Sequence, residues 1–471
     1  MSNSINWYKW SDINLAKQEN KIIFLYIGYE SSALSNIMES ETLSNEKISN
    51  ILNDNFISIK IDRDERSDIY RYYQKVYKLM NAKDGVLPIS VFLTPSMKPI
   101  FTSSYLTVED SEGIMGFETM LNLIIDRFNN DIEMLEEKAS EIEESINRVD
   151  SKIEATRLDI SISDLVLSQA RELFDTQNGG FGEAPKFPNI SLLELLLDMD
   201  KSMVTTTIDG MLRGGFYDKD SGGFYRYSND KMWIKASDEK SLYDNALISH
   251  LLLKANYREK AYETLDFILD NMSSNNLFFT LINNEDKSNP KIEKKIIVSQ
   301  NAMVIKSLFA TKEDKYVREA KESLKALLKI LMIDGKLYHS TNIEEKPTVE
   351  GFLDDYGYLG EALIAGYRVI NDEVYLIEAT RLLNSAIKRY YNHGLWKFAD
   401  GDFSSIDTIY DTNYPSAVAT MTSFILSISS LVDNEYLKFA HRTFEIHSYN
   451  LMRQPISSPK LTNMVIKYLK R

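Results

Sequence analysis

The chain has 471 residues, 44% of them hydrophobic and 26% charged, with a net charge of −15 and no cysteine. That length exceeds what one ordinary core uses and predicts two domains, while the acidic balance disfavours nucleic acid and anionic membrane surfaces, which require a basic footprint. The lack of cysteine excludes disulfides, thiolate catalysis, zinc–cysteine sites and iron–sulfur clusters.

The opening stretch, MSNSINWYKWSD, has no charged-then-apolar leader. Apolar strands are expected at Ile22–Ile27, Phe56–Ile61, Ile89–Leu93 and Pro99–Phe101, with helices at Asp12–Asn20, Ser35–Leu52, Ile69–Lys78 and Phe117–Phe128. Short strands interleaved with helices make a small α/β domain over residues 1–129. The segment 130–162 is charged and free of glycine, and reads as a helical connector. From 163 to 471 the pattern is helical throughout, about twelve segments. The longest apolar stretch, Ala417 to Val432, is short for a membrane span and carries six Ser or Thr, so it reads as a buried helix. A cytoplasmic protein with no membrane partner is expected.

Glycine- or asparagine-flanked aromatic patches punctuate the helical region: NGGFG at 178, SGGFYRYS at 221, NNLFFT at 275, DGKLYHS at 334 and HGLWKF at 393. After the first interval they recur every 54 to 59 residues, the length of two helices and their loops. Six helical hairpins with like loops on one end describe an (α/α)6 toroid. A solenoid of helix pairs is the alternative, with short polar loops where this chain has glycine-aromatic turns.

Two groups of motifs then resemble one family. FISIKIDRDERSDIY and VLPISVFLTPSMKPIF form the first; NGGFGEAPKFP, GGFYRYSNDKMW, EKSLYDNA, FLDDYGYLGEAL and YPSAVA form the second. Together they resemble the thioredoxin-domain proteins of the spermatogenesis-associated protein 20 type, with YyaL-like bacterial members. The resemblance covers nearly the whole chain and implies a thioredoxin-like N-terminal fold followed by a six-hairpin toroid, similar to glycosidases and sugar epimerases.

In that family the strand–turn–helix after Lys21 carries two cysteines three residues apart. The matching positions here are Ser32 and Ser35. Thiol–disulfide exchange needs a thiolate attacker and a thiolate leaving group, and a serine hydroxyl supplies neither near neutral pH. Ser31 or Ser32 is left as a helix N-cap. Pro88 matches the proline that is cis in thioredoxin folds.

The positions matching the family motifs in the toroid are Lys186, Arg226, Tyr227, Glu239, Lys240, Tyr243, Asp244, Asn245, Asn301, Asp354, Asp355, Tyr356 and Ser416. Paired carboxylates flanking a bond are the requirement of glycoside chemistry, so Glu239, Asp244, Asp354 and Asp355 are the catalytic candidates. Lys186, Arg226, Tyr227, Lys240, Tyr243, Asn245, Asn301, Tyr356 and Trp396 are ligand-binding candidates, with Phe181 and Phe224 as further walls. Four-residue spacing places Glu239 with Tyr243, and Lys240 with Asp244, on common helix faces; the plainer reading of the second pair is a helix ion pair. Asp354 and Asp355 diverge by about 100°, so one faces inward while the other caps the helix. His339 and His393 lie in patch loops, where a lone histidine is more often a surface residue.

The chain also departs from the family: Ala236-Ser237-Asp238 replaces a histidine-containing stretch, Gln300 a tryptophan and Val418 an asparagine. The functional expectation is a sugar-like small molecule bound or acted on at the barrel mouth, with no thiol redox activity, no cofactor and no metal. The alternative is a non-catalytic binding or scaffold protein, its protein partner undefined.

Overall fold

The structure, a computed structural model, describes residues 4–111, 113–151, 154–286, 288–343 and 345–470. The chain folds as two compact units, Met1–Lys152 and Ile153–Arg471.

The first unit is built on a mixed sheet of five strands: β1 (Trp7–Tyr8), β2 (Ile22–Gly28), β3 (Phe56–Asp62), β4 (Ile89–Leu93) and β5 (Pro99–Ser103), in the order β1-β3-β2-β4-β5. β1, β3 and β2 run parallel, whereas β4 is antiparallel to β2 and β5 to β4. Every residue of β2 is buried, as an unbroken apolar run covered on both faces requires. One face is covered by α3 (Glu46–Asn55) and α5 (Phe117–Asn130), whose apolar sides pack on Phe24, Phe56 and Phe92. The other helices are α1 (Asn14–Glu19), α2 (Ala33–Ile37), α4 (Ser67–Asn81) and α6 (Ile132–Ser151). The helix expected over Ser35–Leu52 is divided instead. A wide turn over Met38–Thr42 follows α2, and Asn45, in extended backbone, then caps α3 by accepting from the Lys47 and Ile48 amides. The segment read as a connector holds α6, which packs on α4, α5 and β5 of the first unit. Leu135, Ala139, Ile142 and Ile146 supply its three-and-four spacing.

The second unit contains twelve described helices: α7 (Ile162–Leu173), α8 (Ile190–Leu196), α9 (Lys201–Arg213), α10 (Leu242–Lys254), α11 (Arg258–Asn271), α12 (Val298–Thr311), α13 (Asp314–Leu331), α14 (Leu353–Ile370), α15 (Glu373–Tyr390), α16 (Ala417–Leu431), α17 (Leu437–Arg453) and α18 (Pro459–Leu469). The even-numbered helices touch in sequence, and α18 returns to α8, so the inner ring is closed. The architecture is an (α/α)6 toroid, not a solenoid. Each aromatic patch follows an outer helix and precedes an inner one, which places all five on the end where the inner helices begin.

Side-chain polar contacts tie the inner helices in two groups, α12, α14, α16 and α18 in one and α8 and α10 in the other. Glu361 of α14 accepts from Lys306 of α12 at 2.7 Å and from Lys460 of α18 at 2.8 Å. Lys460 also reaches Thr420 of α16 at 3.2 Å, and Lys254 of α10 pairs with Glu194 of α8 at 3.1 Å. Burial alone would raise the Glu361 carboxyl, but Lys306 and Lys460 outweigh it and hold the group well below the usual carboxylate range. Glu194 is held at about 2, its burial outweighed by Lys254 and Lys306. His250 is pushed well down by burial and by Lys254 and Lys306, and stays neutral.

Two variants of α14 test this packing. Glu361→Gln removes the counter-charge of two lysines and is expected to cost about 3–5 kcal/mol in denaturant unfolding. Gly360→Ala raises helix propensity, yet its new Cβ would meet Phe424 of α16 at 2.3 Å. Overpacking of about 1–3 kcal/mol outweighs the propensity gain, so the Tm is expected to fall. An unchanged or higher Tm would show that the α14–α16 contact yields easily.

Candidate active site at the mouth of the toroid

The first two patches close around a shared device. In DTQNGGFG, Asp175 Oδ1 accepts from the Gln177 and Asn178 amides, and Lys186 Nζ bonds Asp175 Oδ2 at 2.8 Å, the Gly179 carbonyl at 2.7 Å and the Lys231 carbonyl at 2.9 Å. In DKDSGGFY, Asp218 Oδ1 accepts from the Asp220 and Ser221 amides, and Lys240 Nζ bonds Asp218 Oδ2 at 2.7 Å, Ser221 Oγ at 2.9 Å and the Gly222 carbonyl at 2.8 Å. Both lysines are buried, and their donors serve the loops. Gly179, Gly180, Gly222 and Gly223 all have positive φ, the backbone conformation that glycine adopts without penalty. The later patches are tight hairpins whose central pairs, Asn275-Asn276, Asp334-Gly335 and His393-Gly394, have positive φ at both positions, as type I′ turns need.

Asparagines on the inner helices lock two patches in place. Asn245 accepts from the Phe224 amide at 2.7 Å and donates to the Phe224 and Ser241 carbonyls, each at 2.9 Å. Asn301 repeats the pattern, accepting from the Phe278 amide at 2.8 Å and donating to the Phe278 and Ile297 carbonyls at 2.9 and 3.0 Å. Asp355 ties a third region together. Its carboxylate accepts from the Ser299 amide at 3.1 Å and the Phe352 amide at 2.8 Å, and its Oδ2 lies 2.7 Å from His339 Nδ1. His339 is therefore buried and paired, contrary to the surface expectation. His393 is exposed at its hairpin tip.

These contacts revise several assignments. Lys240 does not pair with Asp244, because Glu239–Ser241 is a strand and α10 starts only at Leu242. Four-residue helix spacing therefore applies neither to Lys240 and Asp244 nor to Glu239 and Tyr243. Trp396 is fully buried, its indole N–H donating to Thr443 at 3.0 Å, so it forms core and not a cavity wall. Phe224 is likewise fully buried and Phe181 nearly so. The Tyr356 hydroxyl accepts from Arg389 of outer helix α15 at 3.2 Å. Ser416 caps α16 and donates to the Ile409 carbonyl at 3.0 Å.

Arg226, Glu239 and Asp244 remain as a charged group beside the start of α10. Arg226 Nη1 donates to Glu239 Oε2 at 2.6 Å, and the two backbones are joined by the Arg226 amide on the Glu239 carbonyl at 2.8 Å. Asp244 is only 2% exposed. It accepts from the Ser241 hydroxyl, while Ser241 Oγ caps the helix by accepting from the Asp244 amide at 3.2 Å. Burial raises Asp244 to about 7; Ser241 and Arg226 pull it down, and Glu239 adds to the rise. Next to it, Tyr243 meets Tyr414 edge-on at 5.2 Å, and Tyr414 in turn meets Tyr358 at 6.4 Å. Asn413 donates to the Tyr243 hydroxyl at 3.4 Å. Asp354, at the start of α14, is buried and accepts from the Asp355 amide at 3.0 Å. Tyr227 meets Phe187 in a tilted ring pair at 5.3 Å. A recess of about 600 Å3 opens beside the Lys240 loop, lined by Tyr217, Asp218, Tyr225, Lys235 and Ser237; neither Glu239 nor Asp244 lines it.

Sequence reasoning missed Asp175, Asp218, Tyr414 and the inner-helix charges. The repeated aspartate four residues ahead of Gly-Gly was a usable signal for the first two. Lys306 and Glu361, isolated charges in apolar helices, were another.

At the opposite end of the chain, the redox-motif positions are structural. Ser32 caps α2 by accepting from the Ser35 amide at 3.2 Å, Ser35 is fully buried, and the Leu87–Pro88 bond is cis.

Residues 1–147 match the family model described as Thioredox_DsbH, a protein of unknown function (DUF255). An uncharacterized protein of Caenorhabditis elegans is 24% identical, the match covering 98% of this chain and 83% of the worm protein. Spermatogenesis-associated protein 20 of Rattus norvegicus is 32% identical over 54% of this chain, and the human protein 32% over 52%; each match spans only 34% of the mammalian sequence. Among solved structures, the GH76 alpha-mannanase BT2949 of Bacteroides thetaiotaomicron superposes with a TM-score of 0.51 at 14% identity, covering 66% of this chain and 96% of that one. A sugar epimerase from a ruminal bacterium also scores 0.51 at 14% identity, covering 61% and 86%. At such identities the likeness is one of fold, the toroid. The chain is thus cysteine-free and similar over about half its length to spermatogenesis-associated protein 20, with residues 1–147 matching the DUF255 thioredoxin-like model ahead of a six-hairpin toroid.

Proposed function

We propose that the second unit binds a sugar-like small molecule at the end of the toroid where the inner helices begin, and that Asp244 is its proton-exchanging group. The observation that carries this reading is Asp244 itself: a buried carboxyl at about 7, hydrogen-bonded to a serine and not to a lysine. A carboxyl poised near neutrality can both give and take a proton. Arg226 and Glu239 would orient hydroxyl groups, and Tyr243 and Tyr414 would offer ring faces. The two sugar-acting proteins that share the fold support the same ligand class.

Hydrolysis by two carboxylates is not part of this proposal. Glu239 is neutralised by Arg226, and Asp355 is committed to His339 and two backbone amides. The second reading, a unit that binds without chemistry, is favoured by the number of motif residues used as cross-links: Lys186, Lys240, Asn245, Asn301 and Asp355.

A thermal-shift panel of mono- and disaccharides tests the site. At least one sugar is expected to raise the wild-type Tm, and Asp244→Asn or Arg226→Gln to abolish that shift. If no sugar moves the wild type, the ligand reading fails.

Asp244 also sets a pH dependence. Its folded pKa of about 7 lies above the ordinary 3.8 of an unfolded aspartate, so folding favours the protonated form. No penalty exists below about pH 4; between about 4 and 7 stability falls as pH rises, by up to about 4 kcal/mol in all. Asp244→Asn removes that slope, and the variant is expected to be more stable than wild type at pH 8 and equal to it at pH 4. Equal stability at both pH values would mean that the carboxyl is ionised in the folded protein.

For the first unit we propose that thiol redox chemistry is absent, since the chain has no cysteine. Insulin reduction by dithiothreitol is expected to run no faster with the protein than without it.

A further inference from the structure

The first unit carries an apolar cleft whose lining includes none of its redox-motif positions. β5 is the edge strand of the sheet; α6 packs on it and on α5. One side of α6 is pinned to the β4–β5 turn: the Ser96 hydroxyl donates to Glu136 at 2.9 Å, and Lys98 Nζ donates to Ser140 Oγ at 2.9 Å. Between α6, α5 and β5 a cavity of about 330 Å3 remains, at the small end of the range typical of ligand sites, roughly 300–1,000 Å3.

Its walls are aliphatic, aromatic and thioether side chains, among them Phe101, Met115, Leu123 and Leu135. Phe101, Met115 and Leu123 are 36%, 44% and 46% exposed, unusual values for large apolar groups clustered in one place. Two cations, Arg127 of α5 and Lys138 of α6, also line the cleft. Among the described residues neither is in an ion pair, in a chain with 15 more acidic than basic residues. Lys98 and Lys47 of the same unit both have carboxylate partners.

An apolar slot with two unpaired cations from opposite helices matches one chemistry: a long alkyl chain ending in an anionic head. Arg127 suits a carboxylate because its planar guanidinium can donate two parallel hydrogen bonds, and Lys138 adds a point charge from the facing helix. Methionines on the wall, Met115 and Met120, adapt to a chain of variable shape. We propose that this cleft is a binding site for a free long-chain fatty acid, which would give the cysteine-free thioredoxin fold a ligand-binding role.

The test uses the full-length protein and cis-parinaric acid, whose fluorescence rises on entering an apolar site. Saturable binding near one equivalent is expected, displaced by palmitate at least tenfold more effectively than by hexadecanol. Arg127→Gln combined with Lys138→Gln should weaken palmitate about tenfold with an unchanged Tm, while Leu123→Glu should abolish binding. Leu123 is half exposed, so that variant should fold, and far-UV circular dichroism checks it. The proposal is overturned by an absence of saturable binding, by equal competition from hexadecanol, by full affinity in the double variant, or by binding only to phosphatidylglycerol vesicles.

Discussion

Glu361 lies between two ammonium groups, and the toroid is organised around that contact. Two lysines and a glutamate from three helices, with a threonine from a fourth, meet around a buried carboxylate, and a more exposed Lys254–Glu194 pair joins the remaining two helices. Removing ions from water is costly, and only close, mutual pairing offsets the cost. Each inner helix must therefore keep its rotation and height relative to its neighbours, or a charge loses its partner. Apolar packing alone tolerates small slips along a helix axis; a lysine 2.7 Å from its carboxylate does not.

A second layer of constraint surrounds the mouth. Lysines hold the first two patches, and asparagines hold the second and third, by hydrogen bonds to backbone. The polar residues that look most like a binding site in one dimension are thus largely occupied in three. This division has a chemical logic. Loops rich in glycine leave many backbone amides and carbonyls to satisfy, and buried side chains with several donors or acceptors satisfy them compactly.

Much of the architecture was legible beforehand. The strands β2 and β4 are largely apolar runs and β3 an alternating one, of five to seven residues, flanking helical patterns, and the twelve toroid helices follow from punctuation by Gly, Asn and aromatic residues. β1 was not legible because two residues carry no period. The broken helix after Ser35 was missed because its apolar spacing continues through Met38 and Leu43 while Asn45 restarts the helix. At the site, the motifs identified which residues matter and misjudged what they do. Glu239 and Lys240 precede a helix and pattern like its first turn, but pairing with Leu281–Asn283 draws them into a strand. Whether a lysine binds a ligand or a loop carbonyl depends on contacts between segments 7 to 45 residues apart, and no helical or strand period encodes that.

The seam of the ring joins α8 (Ile190–Leu196) to α18 (Pro459–Leu469). About 260 residues separate the two helices along the chain. At ribosomal rates of roughly 5–20 residues per second, the first inner helix waits about 13 to 50 s for its last neighbour. During that interval the face of α8 that meets α18 has no closing partner, while the thioredoxin-like unit, already synthesised, has all of its sheet. Nascent chains of this protein therefore pass through a long stage with one finished domain and one open arc, and the open arc is the form that a holding chaperone would meet.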